Sequence, residues 1–296
     1  MRQGRMDESD PDFNFRHWLQ NLFLRSLIGL ALLLPYALRV PFFGALMRRV
    51  IAPVIGYRAR ALDNLALIWP GMAPTERQAI AAQVADNVGR TLIENYSSKD
   101  FMDRMKRIDP VGPGMAALVA ARSKGQPAIL VTGHFGNYEA ARASLVAQGF
   151  AVGGLYRAAR NSYFNAHYVR TMEAFGGPVF AQGRRGTAGF VRHLRGGGQL
   201  VLLFDQDVRG APQIDFLGQP ARTATSAADL ALRYDALLIP FYATRLPDGL
   251  SFAIDLEAPI AHSDAATMTA ALSASLEVRV RANPEQWFWI HRRWKK

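Results

Sequence analysis

The chain of 296 residues reads as an α/β protein, an α/β/α sandwich on a mainly parallel sheet preceded by an N-terminal membrane-associated helical segment. Three observations predict this. From about residue 128 onward, short apolar runs alternate with stretches of helical periodicity, the pattern of parallel strands covered by helices on both faces. The first 50 residues concentrate leucines, aromatics and flanking arginines. Hydrophobic residues make up 50% of the chain, which at this length supplies a substantial core and excludes a disordered polymer.

Taken in order, a polar lead from Met1 to Asp12 carries Asp7, Glu8, Asp10 and Asp12, and no clean small-residue cleavage site follows, so it is not a cleaved signal peptide. Phe13, Phe15, Trp18, Leu19, Leu22, Phe23 and Leu24 come next, then an apolar run from Leu27 to Leu38 bracketed by Arg25 and Arg39. A second patch, Val40 to Met47, contains Phe42 and Phe43. A bilayer span needs roughly 20 apolar residues, so an interfacial or partly inserted helix fits at least as well as a true span. A buried amphipathic hairpin packed on the main domain is the alternative. The expected organisation is residues 1–50 as anchor or interfacial helices and 51–296 as one catalytic domain, since no internal repeat, low-complexity tract or long linker is visible.

Helical periodicity predicts helices over Thr75 to Tyr96 and Met115 to Arg122. Strands are expected at Ala128 to Val131, Ala151 to Tyr156, Pro178 to Phe180, Gln199 to Phe204, Leu237 to Tyr242 and Ser251 to Leu256. Helices are expected between them at Tyr138 to Ala147, Tyr163 to Phe175, Thr187 to Leu194 and Ser226 to Tyr234, with a last one from about Asp264 to Val280. Active groups then belong at the carboxyl ends of the strands.

A formal charge of +11 favours an anionic partner, whether nucleic acid, a membrane surface, a phosphorylated lipid or an acidic protein. No nucleic-acid module or basic run interleaved with stacking aromatics stands out, so nucleic acid is not expected. Without cysteine there is no thiolate nucleophile or thiolate metal site, and none of the six histidines pairs with another at metal-ligand spacing. No Gly-x-Ser-x-Gly elbow and no Walker sequence is present, and Gly112-Pro-Gly-Met-Ala-Ala117 reads as a loop.

The most informative residues are His134 and Glu139, in Ile129-Leu-Val-Thr-Gly-His-Phe-Gly-Asn-Tyr-Glu139. On a continuous helix an offset of five residues sets side chains about 140° apart. The two meet only if His134 sits on the turn leaving the strand and Glu139 in the first turn of the next helix. There an imidazole is exposed at a strand's carboxyl end, with a carboxylate to hold one ring nitrogen while the other faces a substrate. A helix-capping histidine beside an ordinary solvent-facing glutamate is the competing reading.

Six blocks in one order carry a family resemblance: Thr132-Gly-His-Phe-Gly-Asn-Tyr-Glu139; Leu155-Tyr-Arg157 followed by Asn161; Arg170 through Phe175-Gly-Gly177; Leu203-Phe-Asp-Gln-Asp207; Asp215-Phe-Leu-Gly-Gln-Pro220; and Asn283-Pro-Glu-Gln-Trp-Phe-Trp289. The chain resembles the lysophospholipid acyltransferase superfamily and, more narrowly, the bacterial lipid A biosynthesis acyltransferases of the lauroyl and myristoyl type. That resemblance implies a glycerol-phosphate-acyltransferase-like fold and direct transfer of a fatty acyl group from acyl carrier protein to a hydroxyl of a lipid A precursor or another anionic lipid. It implies no metal and no cofactor, at the cytoplasmic side of a bacterial inner membrane. His134 would be the general base and Glu139 the group that fixes its ring. Gly133 and Gly136 are candidates for backbone donors to the oxyanion. Arg157 and Arg170 would bind phosphate, with surface or salt-bridging arginine as the plain reading.

Asp205 and Gln206, with Asp207, are expected at the same sheet edge as His134, where strand-end capping competes with substrate binding. Phe216 to Gln219 would form pocket wall, and Trp287 to Trp289 packing. Arg292 to Lys296 would be a basic membrane-surface patch or ordinary solvated charge. Ala158 and Ala159 stand where the family commonly has a proline or polar residue. The acceptor is therefore left open among lipid A, lysophospholipid, phosphoinositide mannoside and aminoacyl lipid, and a non-catalytic anionic-lipid binder is the alternative of a different class.

Overall fold

A computed structural model describes residues 13–295, so the polar lead and Lys296 lie outside the described residues. Asn14 opens α1 (Phe15–Leu32) by accepting the His17 amide at 3.0 Å, and Pro35 opens α2 (Tyr36–Leu46). A π-helical turn (Met47–Ile51) leads into α3 (Ala52–Val54), α4 (Tyr57–Ile68), α5 (Pro74–Tyr96), α6 (Ser98–Met105) and α7 (Pro113–Ser123). The alternating part follows as β1 (Ala128–Thr132), α8 (Tyr138–Ala147), β2 (Val152–Tyr156), α9 (Ser162–Glu173), β3 (Val179–Ala181), α10 (Arg184–Arg195) and β4 (Gln199–Leu203). A hairpin of β5 (Gln213–Phe216) and β6 (Gln219–Arg222), then α11 (Ser226–Tyr234), β7 (Leu237–Arg245), β8 (Phe252–Leu256), α12 (Ala265–Ala282) and a short 3₁₀ turn (Pro284–Gln286) complete the chain.

The expected α/β class and mostly parallel sheet are both present. Six strands run in the order β3-β2-β4-β1-β7-β8, the first five parallel and β8 antiparallel to β7. Strand β1 shows why its sequence is a continuous apolar run: Ala128 and Leu130 enter one buried cluster, with α2 and α8, while Ile129 and Val131 enter the other, with α10, α11 and α12. The register pairs Thr132 with Leu203, so the chain leaves β1 and β4 at the same height. That is the step that builds the site.

The N-terminal helices do two things. Helix α2 packs on α5 with Val40 fully buried, and at Gly89 a Cβ would lie 2.3 Å from the Phe43 carbonyl oxygen, so only glycine permits that approach. Arg39, expected as a flanking membrane arginine, is instead buried, donating to the Leu32 carbonyl at 3.3 Å and the Leu34 carbonyl at 3.1 Å and pairing with Asp100. Helix α1, by contrast, leaves Phe15, Phe23 and Leu30 more than 60% exposed. Among the described residues no helix is long and apolar enough to cross a membrane.

Besides the single turn of α3, three elements were not anticipated: α4, α6 and the β5–β6 hairpin. The hairpin's turn places Leu217 and Gly218 at φ of 55° and 77°, a left-handed pair. The Gly112-Pro-Gly run, expected as a loop, is the junction at which α7 begins.

Candidate active site

His134 stands two residues beyond β1 and Glu139 is the second residue of α8, the turn-then-helix placement that their spacing requires. Asn137 caps that helix, its Oδ1 accepting the Glu139 amide at 3.1 Å. Its Nδ2 donates to buried Glu94 at 2.9 Å, and Glu94 is itself paired with Arg245, so the turn is anchored to α5 and β7. Gly136 has φ of 54°, and a Cβ there would meet the Ala243 carbonyl oxygen at 1.8 Å.

The carboxylate on the histidine ring is Asp205, not Glu139. His134 Nδ1 lies 2.8 Å from Asp205 Oδ1, and the His134 amide donates to Oδ2 at 2.8 Å. The Trp287 indole N–H adds a third hydrogen bond, 2.9 Å from Oδ2. Burial alone would raise the Asp205 carboxyl, but the charge and hydrogen bonds of His134 outweigh it and hold the group well below the ordinary carboxylate range. An ionised carboxylate only accepts, so Nδ1 must be the donor, and in the neutral ring Nε2 carries the lone pair. Gln206 Nε2 lies 3.4 Å from His134 Nε2 and 3.5 Å from His291 Nε2. The His291 ring stands edge-on to His134 with centroids 4.6 Å apart, and burial first, then the neighbouring His134, lowers its pKa to about 4.

Glu139 faces elsewhere. Its Oε2 pairs at 3.3 Å with Arg142, a buried guanidinium that also donates to the Val152 carbonyl at 3.2 Å and the Gly176 carbonyl at 2.5 Å. His134, Glu139, Arg142, Arg157 and Gln206 line one cavity of about 520 Å³, whose apolar walls come from β2 and β4. Such a volume suits a ligand site. Arg170 is exposed on α9 and does not line the cavity. The Gly136 amide donates to the Gln286 carbonyl at 2.9 Å, so it is not a free donor for an oxyanion. Gly133 is buried, and a Cβ there would press on Leu276 at 2.7 Å and approach Asp205 Oδ2 to 3.0 Å. Its lack of a side chain therefore lets the turn sit on Asp205.

A model of the bacterial lipid A biosynthesis acyltransferases matches residues 11–296. The chain belongs to that family. It is accordingly an O-acyltransferase. It is 26% identical over 290 residues to the lipid A biosynthesis lauroyltransferase of Escherichia coli K12, covering 95% of this chain and 92% of that one. Lipid A biosynthesis acyltransferase 2 of Shigella flexneri is 23% identical, over 93% of this chain and 88% of its own. A phosphatidylinositol mannoside acyltransferase of Mycobacterium tuberculosis is 24% identical, over 64% of this chain and 61% of its own.

Several residues of the acyltransferase's site were not singled out from sequence. Trp287, expected as packing alone, both packs and reaches Asp205, and His291 was unmarked. Residues 134–136 and 286–288 pair as antiparallel backbone, with the Phe288 amide donating to the His134 carbonyl at 2.9 Å. Arg293, expected in a basic surface patch, is buried and donates to the Gln206 carbonyl at 3.0 Å and the Arg222 carbonyl at 2.7 Å, while Lys295 pairs with Asp207 at 3.2 Å. The tail is thus a fastener behind the site. Phe216 to Gln219 is absent from the cavity's lining, and Phe216 packs on Trp287 with ring centroids 5.2 Å apart.

Proposed function

We propose that the acyltransferase moves a fatty acyl chain from the thioester of acyl carrier protein to a hydroxyl of a lipid A precursor, a late acylation of the lauroyl or myristoyl type. The observation that carries the mechanism is the His134 Nδ1 hydrogen bond to buried Asp205 at 2.8 Å. It fixes the tautomer whose Nε2 takes the proton of the acceptor hydroxyl as the oxygen attacks the thioester carbon. The carbon–sulfur bond then breaks, and the imidazolium returns its proton to the departing thiolate. Asp205 stabilises the imidazolium in between. Glu139 acts through its pair with Arg142, holding the cavity on the α8 side, and Arg157, an exposed residue of the cavity lining, would meet phosphate as a planar fork.

The exposed apolar residues of α1 and α2, Phe15, Phe23, Leu38 and Phe42 among them, support seating on the membrane that holds the acceptor; the face we propose is the cytoplasmic side of the inner membrane. The mycobacterial relative, named for a phosphatidylinositol mannoside, favours a second acceptor class of anionic glycolipid. Acyl transfer from acyl carrier protein is to be measured in membranes bearing wild type or His134→Ala, with mass spectrometry of the product lipid. Loss of about 10²- to 10⁴-fold in rate is expected for the variant. Unchanged transfer by His134→Ala sinks the mechanism, and a product other than an acylated lipid A precursor sinks the acceptor.

A further inference from the structure

Helix α10 turns Phe190 and Leu194 into the core and leaves its arginines outside. Between α10 and α11 runs a groove of about 660 Å³ lined by Arg184, Arg192 and Arg195 on one side and Arg233 and Tyr234 on the other. Among the described residues no carboxylate stands within 4.0 Å of any of these four guanidiniums. Of the acids nearby in the chain, Asp229 accepts the Thr225 hydroxyl at 2.8 Å, and Asp235 is 90% exposed with His262 3.8 Å away. Four like charges facing one groove repel, and an anionic occupant relieves that repulsion.

The groove begins beside the catalytic cavity, Gly183 lining the one and Gln182 the other. Gln182 and Ser226, which line that cavity, lie at the starts of α10 and α11, and Arg184 follows Gln182 by two residues. From there α10 carries its arginines about 16 Å along the groove. We propose that this groove docks the acidic protein that delivers the acyl thioester, one acidic helix lying between α10 and α11 while the donor arm passes Gln182 to His134. The proposal rests on the carrier-protein donor of the preceding section. A membrane is the poorer occupant. Phe190 and Leu194 share their core with α11 and α12, whereas Ala31, Tyr36, Val40 and Phe43 of the apolar N-terminal helices share theirs with α8, across the sheet. A bilayer seated on α1 and α2 leaves the arginine groove on the far side.

The test is the triple variant Arg192→Glu/Arg195→Glu/Arg233→Glu, assayed with the same acyl chain on acyl carrier protein and on uncharged pantetheine. The expected result is a KM for the carrier-borne donor raised about tenfold or more and a wild-type salt sensitivity lost in the variant. Unchanged kcat/KM with acylpantetheine shows that the variant is folded and its cavity intact. Equal KM for the carrier-borne donor in variant and wild type overturns the groove. So does a variant that loses binding to anionic phospholipid vesicles while keeping its KM for the carrier. A wild type that uses acylpantetheine as well as the carrier thioester overturns the donor reading itself, and the groove with it.

Discussion

At one end of the cavity the His134 ring is held by a carboxylate with 1% exposure that takes hydrogen bonds from a ring nitrogen, a backbone amide and an indole. Toward α8, Glu139 is 18% exposed and paired with an arginine three residues along the same helix. Both acids lie near the same histidine turn, yet their neighbours divide the work. Asp205 is surrounded by donors that are rigid parts of the sheet edge and the returning tail, so it keeps a fixed charge and a fixed direction. Glu139 balances the buried charge of Arg142, so removing it disturbs packing as well as chemistry.

The sharpest way to break this contrast is Asp205→Asn, which keeps the volume but no longer demands a proton on Nδ1. Expected is a fall in kcat of about 10²-fold or more in a protein that still folds. Activity within threefold of wild type in initial-rate assays would return the ring-holding role to Glu139. The same variant has a pH signature. Because the folded Asp205 lies below its ordinary value of about 3.9, it contributes stability above that pH and loses it as the pH falls. The gap in thermal stability between wild type and Asp205→Asn should therefore be widest near neutrality and close on acidification.

Glu139→Gln should cost about 1–3 kcal/mol of stability by leaving Arg142 without its counter-charge, alongside a smaller loss of rate than Asp205→Asn. Adding Arg142→Met should restore part of that stability in thermal unfolding. A Glu139→Gln protein as stable as wild type would show the pair to be irrelevant. The smallest effect belongs to Trp287→Phe, which keeps an aromatic ring and removes one hydrogen bond to Asp205. About tenfold in kcat is expected, equivalent to about 1.4 kcal/mol.

Much of this was legible before any coordinates. Parallel strands buried on both faces write themselves as apolar runs, which is why β1, β2, β4 and β7 were placed to within a few residues. The hairpin was not legible, because each strand has only four residues, Pro220 sits in the second, and the turn at Leu217-Gly218 is not asparagine-glycine. At the site, His134 and its turn were readable from local spacing. The ring's partner was not, because choosing Asp205 over Glu139 requires knowing that β4 lies beside β1. One signal did exist: His134 and Asp205 each stand two residues past an apolar strand, and the register that pairs Thr132 with Leu203 sets them side by side. Trp287 and His291 arrive on irregular backbone after α12, where no periodicity marks them.

The antiparallel pairing of residues 134–136 with 286–288 has a consequence for the order in which the protein comes into being. On the ribosome the last sheet strand, β8, is complete roughly 30 residues before Trp287 is made, a lag of seconds at ordinary rates of translation. The indole, the Arg293 fastener and the backbone clasp are therefore all made after the strands that carry His134 and Asp205. The sheet edge is thus made first, and the site is complete only once the tail has docked on it.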